Sequence, residues 1–324
     1  MKYYHLHLME RHIVSPVDLF HEEGDKDYTL IFENRSEEIS AIFREETEDF
    51  RIVVYGLNYA LAEVLLKFKD KLWAFVPLGF EIYNYRNFLS SLELIEKLFF
   101  LFLKPRTFLS RQWNLLINRS YSNVISSFRY YITAFEVDYR HLSTTYKIRG
   151  VWLRHYVFYK KVDFDFLKIQ KKSHSILVGN SLSISSNTLS FILKFARRST
   201  ARLTIQSAYG DEIYIQVVKW IGRVYRNVQF DAEYLPFKEY LLKLASHDTS
   251  LYWNRRPEGL TTLIICVQLG HTVVLNPKSL LCDFMDEIGL HYVKWSVPFN
   301  VLSESQKREN LEILNSWLSQ TTNE

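Results

Sequence analysis

The chain of 324 residues is 48% hydrophobic and 16% aromatic, with only 10 glycines and 7 prolines, which excludes a disordered polypeptide. Its two cysteines, Cys266 and Cys282, do not form a CxxC pair and do not indicate a disulfide framework, as is typical of a reducing compartment. The length is too great for one small core, so it predicts two domains.

Membrane-spanning and secretory segments are not indicated. The longest apolar run is LFFLFL at 98–103, far short of the roughly 20 residues that a spanning helix needs. The opening MKYYHLHLMERH lacks the apolar core and cleavage site of a signal peptide. We therefore expect a protein that is soluble or attached to a membrane surface.

The net charge of +4 hides an asymmetry along the chain. Residues 22–49 carry 11 acids and 3 bases, which is typical of a solvated face, whereas residues 97–172 carry 15 bases and 4 acids. In the second segment the bases alternate with aromatic and apolar residues. Such stretches bind anionic membranes, nucleic acids or phosphorylated substrates, and the plainer alternative is a helical domain with a basic surface.

The first half of the chain predicts an α/β domain. Strands are expected at 2–9, 28–33, 50–56 and 71–77, with a helix at 58–69 before the last of them. The aromatic-rich region from about 87 to 140 is interpreted as helices. This alternation favours a largely parallel sheet.

The second half alternates more regularly. Strands are predicted at 176–178, 202–207, 227–230, 249–253 and 272–276, and helices at 189–196, 211–222, 236–247, 260–270 and 279–289. This is the pattern of a doubly wound α/β domain, in which ligands bind at the carboxyl ends of the strands. The boundary is expected near 165–175, giving domains 1–168 and 169–324.

Two loops have the chemistry of a phosphate site. In VGNSLSISSN (178–187), Gly179 lets the backbone approach a ligand, and a helix start near Asn187 and Thr188 offers donors to an anion. In WNRRPEGLTT (253–262), an arginine pair precedes Gly259 and two threonines open a helix. The alternatives are an ordinary strand-to-helix loop and a solvated arginine pair before a simple helix start.

Several segments, taken in order and spacing, resemble those of the bacterial 4-acetamido-4,6-dideoxygalactose (N-acetylfucosamine) transferases. They are ILVGNS (176–181), YG (209–210), LPFKEYLLKLASHD (235–248), GLTTLIICVQLGHTVVLN (259–276) and DFM (283–285). The resemblance extends from about 174 to 285. Upstream, VPLGFEIYNY (76–85) is similar to the family's Gly-x-Asp-x-Tyr segment, and YGLNYA (55–60) to its His-Gly-rich turn.

This resemblance implies the GT-B glycosyltransferase architecture, in which two Rossmann-like α/β domains face a cleft. It implies an inverting, metal-independent transfer of a deoxy-amino sugar from a nucleoside diphosphate to a lipid-linked (polyprenyl diphosphate) acceptor, as in enterobacterial common antigen. The implied partners are the nucleotide sugar, the lipid-linked glycan and the anionic inner face of the bacterial cytoplasmic membrane. No cofactor, metal or nucleic acid is expected.

The resemblance also assigns residues. Gly179, Asn180 and Ser181 would line the donor site, and Tyr209 would lie near the nucleotide. The diphosphate would be held by Arg256, Gly259, Thr261 and Thr262, with Glu258 and Gln268 as further donor-site residues. The chain departs from the family at Thr261, where glycine is expected, and at Glu81, where aspartate is expected.

An inverting transfer needs a base that deprotonates the acceptor hydroxyl and cationic or amide groups that stabilise the leaving diphosphate. Arg256 and the helix start at 259–262 are expected to meet the second need. Glu81 is the preferred base because it follows a predicted strand, with His5, His7 and His12 as rivals. His5 and His7 are too few ligands for a metal site.

Two other functions stay open from the sequence. The first is a non-catalytic module that binds a nucleotide sugar or a glycan within an envelope-assembly complex. The second is a nucleic-acid binder that uses the basic segment 97–172, although that segment matches no recognised motif of this class.

Overall fold

The computed structural model describes residues 1–7, 25–31, 36–77, 82, 88–103, 105, 119–133, 135–154, 175–179, 181–296 and 300–320. The contacts divide the chain into two compact units. Unit 1 comprises Met1–Asn87 and Arg106–Phe158, and unit 2 comprises Phe88–Pro105 and Tyr159–Glu324. Residues 88–105, which the sequence prediction counts in domain 1–168, thus belong to unit 2.

Unit 1 contains a six-stranded sheet in the order β2-β1-β3-β4-β5-β6, with all strand pairs parallel. The strands are β1 (Lys2–His7), β2 (Lys26–Ile31), β3 (Phe50–Tyr55), β4 (Leu72–Val76), β5 (Tyr130–Thr133) and β6 (Val151–Arg154). Its described helices are α1 (Ser36–Glu45), α2 (Tyr59–Leu65), α4 (Arg119–Ile125) and α5 (Glu136–Tyr146), while α3 (Leu94–Leu103) belongs to unit 2. The predicted α/β class with a parallel sheet is confirmed.

The prediction that the region from about 87 to 140 is helical is wrong in one part, because β5 lies within it. Tyr131 and Ile132 of β5 are buried, and the strand pairs with both β4 and β6. Aromatic and β-branched side chains suit such a strand. The run is too short to be recognised by its periodicity.

Unit 2 contains a second six-stranded parallel sheet in the order β12-β11-β10-β7-β8-β9. Its strands are β7 (Ser175–Val178), β8 (Arg202–Gln206), β9 (Val228–Asp231), β10 (Thr249–Tyr252), β11 (Thr272–Leu275) and β12 (Val293–Lys294). Besides α3, its described helices are α6 (Thr188–Phe195), α7 (Glu212–Gly222), α8 (Phe237–Ala245), α9 (Leu260–Gln268), α10 (Leu281–Ile288) and α11 (Glu304–Gln320). The strand order reverses between β7 and β10, as in a doubly wound fold.

The core of unit 2 explains why these strands read as apolar runs. All residues of β7, β10 and β11 are buried, because the central strands of such a sheet are covered on both faces. Leu177 packs against Leu241 and Leu244 of α8 and Ile265 of α9. Among the described residues, no helix is long and apolar enough to cross a bilayer.

A backbone bridge joins the loops that follow β7 and β8. The Leu182 N–H donates to the Tyr209 carbonyl (3.1 Å), and the Asp211 N–H donates to the Leu182 carbonyl (3.1 Å). Between them, Gly210 has a φ of +149°, a value that residues other than glycine rarely adopt. The bridge therefore holds the two loops side by side at the carboxyl edge of the sheet.

We expect Gly210→Ala to be strongly destabilising, because the added Cβ would overlap the Leu182 backbone at a backbone angle that favours glycine. The free energy of unfolding should fall by more than about 3 kcal/mol in urea denaturation. Gly289→Ala is the matched control: Gly289 also has a positive φ (+85°), but its Cβ would meet nothing within 4 Å. That variant should lose only about 1 kcal/mol, and equal losses would contradict the role of the bridge.

Candidate functional site

A cavity of about 260 Å³ lies at the carboxyl edge of the unit 2 sheet, where β8 and β9 end. Four aromatic side chains line it: Tyr209, Tyr234, Phe237 and Tyr240. Tyr234 is 85% exposed and Phe237 60% exposed, so both rings present wide apolar surfaces to a ligand. A cavity with such walls suits a flat ring system that stacks on aromatic side chains.

Polar groups occupy defined places in the same cavity. The Tyr240 hydroxyl lies 3.1 Å from Thr262 Oγ1, and burial raises the pKa of Tyr240 to about 12. This tyrosine therefore keeps its proton at neutral pH and is able to donate a hydrogen bond. Asp231 forms an ion pair with Lys243, and both residues line the cavity.

The start of α9 adjoins the cavity through Thr262, which lines it. Gly259 precedes the helix with a φ of +74°, and within the described part of the chain no side chain caps this helix start. The first N–H groups of a helix lack partners within the helix and carry partial positive charge. The predicted anion site at Gly259, Thr261 and Thr262 thus has an uncapped helix start, with Thr261 exposed to solvent and Thr262 facing the cavity.

The loop before α9 is tied to the serine-rich loop by Glu258. The Glu258 carboxylate accepts hydrogen bonds from Ser185 Oγ (2.6 Å) and Ser183 Oγ (3.1 Å), and it pairs with the Arg256 guanidinium. Arg255 points elsewhere, to Glu93 Oε1 at 2.7 Å. The two predicted phosphate loops therefore meet, through the predicted donor-site residue Glu258 and through Ser183 and Ser185, to which the sequence prediction gives no role.

The prediction that the start of α6 offers its donors to the phosphate of a ligand is wrong, because side chains of the protein already accept from them. The Leu189 N–H donates to the Tyr214 hydroxyl (2.9 Å), and the Ser190 N–H donates to Glu96 Oε1 (2.8 Å). Asn187 is fully buried and accepts a hydrogen bond from the Glu93 N–H (2.7 Å). Groups of the protein thus already occupy the place that a phosphate would take.

Glu96 is fully buried, and its carboxylate also accepts hydrogen bonds from Ser190 Oγ and from the Tyr214 hydroxyl (3.0 Å). Burial raises the pKa of Glu96, and these hydrogen bonds only partly oppose that effect. Glu93 differs: burial would raise its pKa, but its ion pairs with Lys194 and Arg255 outweigh burial and lower it. The two glutamates hold α3 to the Rossmann-like core with opposite pKa shifts.

The other predicted donor-site residues are dispersed. Gly179 has a left-handed φ of +64°, with space where a Cβ would lie, and Ser181 is buried beside it. Tyr209 lines the aromatic cavity. Gln268 is at the opposite end of α9, about 9 Å along the helix axis from Thr262. Asn180 lies outside the described residues.

The candidate bases belong to unit 1, and Glu81 and His12 lie outside the described residues. His5 and His7 are fully buried in β1. His5 Nε2 lies 3.0 Å from Asp27 Oδ1, and the His7 ring stacks on Tyr55 at 4.3 Å. Both candidate bases are therefore side chains packed within the unit 1 sheet.

The sequence reasoning missed the aromatic cavity. The pattern that could have indicated it is FDAEYLPFKEY (230–240), where Tyr234, Phe237 and Tyr240 follow a short predicted strand at intervals of three residues. From the sequence, this stretch predicts only a helix at 236–247. Glu93 and Glu96 carried no local signal, because their partners lie 94 to 162 residues away along the chain.

We expect Glu96→Gln and Glu93→Gln to change stability with opposite pH dependence. A raised folded-state pKa gives stability that is complete below the unfolded pKa and lost as pH rises through the folded value. Relative to the parent protein, Glu96→Gln should therefore gain stability from acidic to neutral pH. The lowered pKa of Glu93 gives stability above the unfolded pKa, so Glu93→Gln should lose relative stability over the same range. Urea denaturation of the three proteins at several pH values measures both trends, and parallel curves would refute the assignment.

Comparison with known proteins gives evidence on the fold. No family model matches the sequence, and no curated protein sequence matches it. Similar solved structures include an α,α-trehalose-phosphate synthase (UDP-forming) from Burkholderia vietnamiensis, with a TM-score of 0.58, 8% identity, and 88% of this chain and 73% of that chain covered. The corresponding synthase from Burkholderia xenovorans, in complex with glucose-6-phosphate, gives a TM-score of 0.55, 7% identity and coverage of 89% and 74%.

The N-terminal domain of trehalose-6-phosphate phosphatase from Candida albicans gives a TM-score of 0.52 at 10% identity, with 99% of this chain and 93% of that chain covered. At such identities the similarity establishes the fold alone. The chain has two Rossmann-like α/β units, each with a six-stranded parallel sheet, and its fold is of the GT-B type.

Proposed function

We propose that the protein is a glycosyltransferase that binds a nucleoside-diphosphate sugar in unit 2. One observation carries the proposal: the aromatic cavity and the uncapped start of α9 share Thr262. A nucleotide has two parts that match these two features: a flat base, which suits the aromatic cavity, and a charged phosphate group, which suits the helix start. The match to trehalose-phosphate synthases described as UDP-forming supports a donor of this class.

The cavity suits the nucleoside end of the donor. Its volume of about 260 Å³ is just below the range of roughly 300–1,000 Å³ that is typical of sites for whole ligands. The base would stack against Tyr209 or Tyr234, and the carboxylates of Asp231 and Glu233 would accept hydrogen bonds from ribose hydroxyls.

The start of α9 suits the diphosphate. Its N–H groups and the Thr261 and Thr262 hydroxyls offer donors, and the Arg256 guanidinium adds a positive charge two residues before Glu258. As the bond between the sugar and the diphosphate breaks, negative charge develops on the leaving oxygen, and such donors stabilise it. In this proposal Arg256 exchanges part of its contact with Glu258 for the phosphate.

For the acceptor, the resemblance favours a polyprenyl-diphosphate-linked glycan and transfer of N-acetylfucosamine or a related sugar with inversion. A base in unit 1, for which Glu81 is preferred, would take the proton of the acceptor hydroxyl. The freed oxygen would attack the anomeric carbon, and the nucleoside diphosphate would leave. An exposed apolar stripe on α3 (Leu94, Leu98, Leu101 and Phe102) supports placement at a membrane surface.

A second candidate function is a non-catalytic nucleotide-sugar binding module. The observation that favours it is the Arg256–Glu258 ion pair, which already neutralises the arginine that catalysis would need. Such a module would bind the same nucleotide sugar at the same site but would not transfer the sugar. A radiolabelled-sugar transfer assay with lipid extracts as acceptors separates the two.

We expect titration calorimetry with nucleosides and nucleoside diphosphates of uracil, thymine, guanine and cytosine to identify one preferred base. Arg256→Gln should weaken the diphosphate about 10- to 100-fold, because a charge-assisted hydrogen bond is lost, and leave the nucleoside unchanged. Tyr209→Ala should weaken both ligands. Arg308→Gln, an exposed arginine on α11, is the control and should match the parent protein. Absence of binding by every nucleotide would refute the donor site.

We expect Glu81→Gln to abolish sugar transfer while leaving nucleotide affinity intact, because the amide cannot accept the proton of the acceptor hydroxyl. Steady-state transfer rates and the same calorimetry provide the two measurements. If the variant transfers sugar at the parent rate, Glu81 is not the base.

A further inference from the structure

A basic edge lies at the end of the unit 2 sheet where its strands begin, opposite the cavity. It consists of Arg197 and Arg198 after α6, Arg202 at the start of β8, and Arg223 and Arg226 after α7. The two stretches that supply it, 193–202 and 216–228, contain four and three lysines or arginines respectively and no aspartate or glutamate. All five arginines are exposed.

The side chain of Asn227 holds the two stretches together. Its Nδ2 donates to the carbonyls of Ala196 (3.0 Å), Ser199 (2.9 Å) and Ala201 (3.2 Å). The Leu203 N–H in turn donates to the Asn227 carbonyl (2.8 Å). The loop from α6 to β8 and the loop from α7 to β9 therefore form one surface.

Large apolar side chains project from the same surface. Trp220 on the last turn of α7 is 73% exposed, and Val224, one turn later, is 78% exposed. The opposite side of α7 buries Tyr214, Val218 and Gly222 in unit 2. A tryptophan that is not needed for packing costs free energy in water, so its exposure beside five arginines marks an interaction surface.

We propose that the basic edge docks on an anionic lipid surface. Arginines bind phosphate groups of lipid headgroups, and tryptophan partitions into the interface between headgroups and acyl chains. A nucleic-acid duplex would engage the arginines through its phosphates and leave Trp220 and Val224 in water, and a single strand could stack a base on Trp220 but would leave Val224 in water. The apolar pair therefore favours lipid over nucleic acid.

The proposal does not depend on sugar transfer, because it concerns a surface away from the cavity and is tested without substrate. Co-sedimentation with vesicles of phosphatidylcholine, and of phosphatidylcholine mixed with phosphatidylglycerol, gives the partition coefficients. The parent protein should bind the anionic vesicles, less at high salt, and show little binding to the neutral ones.

Three variants test the residues. Each basic residue at an anionic surface contributes a factor of about five in affinity, so Arg197→Glu with Arg198→Glu should reduce partitioning by more than about 25-fold. Lys278→Glu with Arg308→Glu makes the same change in net charge at exposed positions elsewhere in unit 2 and should change it less than about two-fold. Trp220→Ser should reduce partitioning about five-fold at constant salt. Thermal unfolding of each variant confirms that it folds.

The proposal is overturned if the parent protein does not bind anionic vesicles or if the two double variants have the same partition coefficient. It is also overturned if single- or double-stranded DNA displaces the protein from vesicles while Trp220→Ser has no effect, since that result would identify a nucleic-acid surface.

Discussion

The carboxylate of Glu96 is buried against the first turn of α6, where Ser190 and Tyr214 donate hydrogen bonds to it. A carboxylate at a helix start satisfies amides that the helix itself leaves unpaired. Here it also joins α3 to the Rossmann-like core, because Glu96 comes from α3 and its donors from α6 and α7. Removing water from this carboxylate is costly, and its donors offset only part of that cost, which is why its pKa is raised.

This contact decides where unit 2 can receive a phosphate. The helix that follows the first strand of a Rossmann-like unit is a common anion site, but in this protein its start is closed by Glu96, Tyr214 and the turn at Asn187. The start of α9 is instead uncapped, and it lies beside the aromatic cavity. The serine-rich loop acts as a support, since Ser183 and Ser185 hold Glu258 and so the loop before α9. Donor binding is therefore proposed at the start of α9 and the adjoining aromatic cavity, and not at the start of α6.

Local sequence patterns predicted most of unit 2 but little of what holds it together. Alternating apolar strands and helices placed β7 to β11 and α6 to α10 nearly where the structure has them, because each element buries a continuous or periodic apolar face. The role of Glu96 was not predictable, since its partner Ser190 lies 94 residues away and the second segment of unit 1, Arg106–Phe158, lies between them in the sequence. Strand β5 was missed because it is four residues long and lies among aromatic helices. The cavity was missed because Tyr234, Phe237 and Tyr240 are typical of an ordinary loop and packed helix, and only the fold shows that they line one cavity.

A crystal structure of the protein with its preferred nucleoside diphosphate tests the donor site most directly. The base should lie against Tyr209 or Tyr234, and the phosphates should contact the N–H groups at the start of α9 and the Arg256 guanidinium. A nucleotide bound with its phosphates at residues 179–188, or outside unit 2, would contradict the proposed donor site.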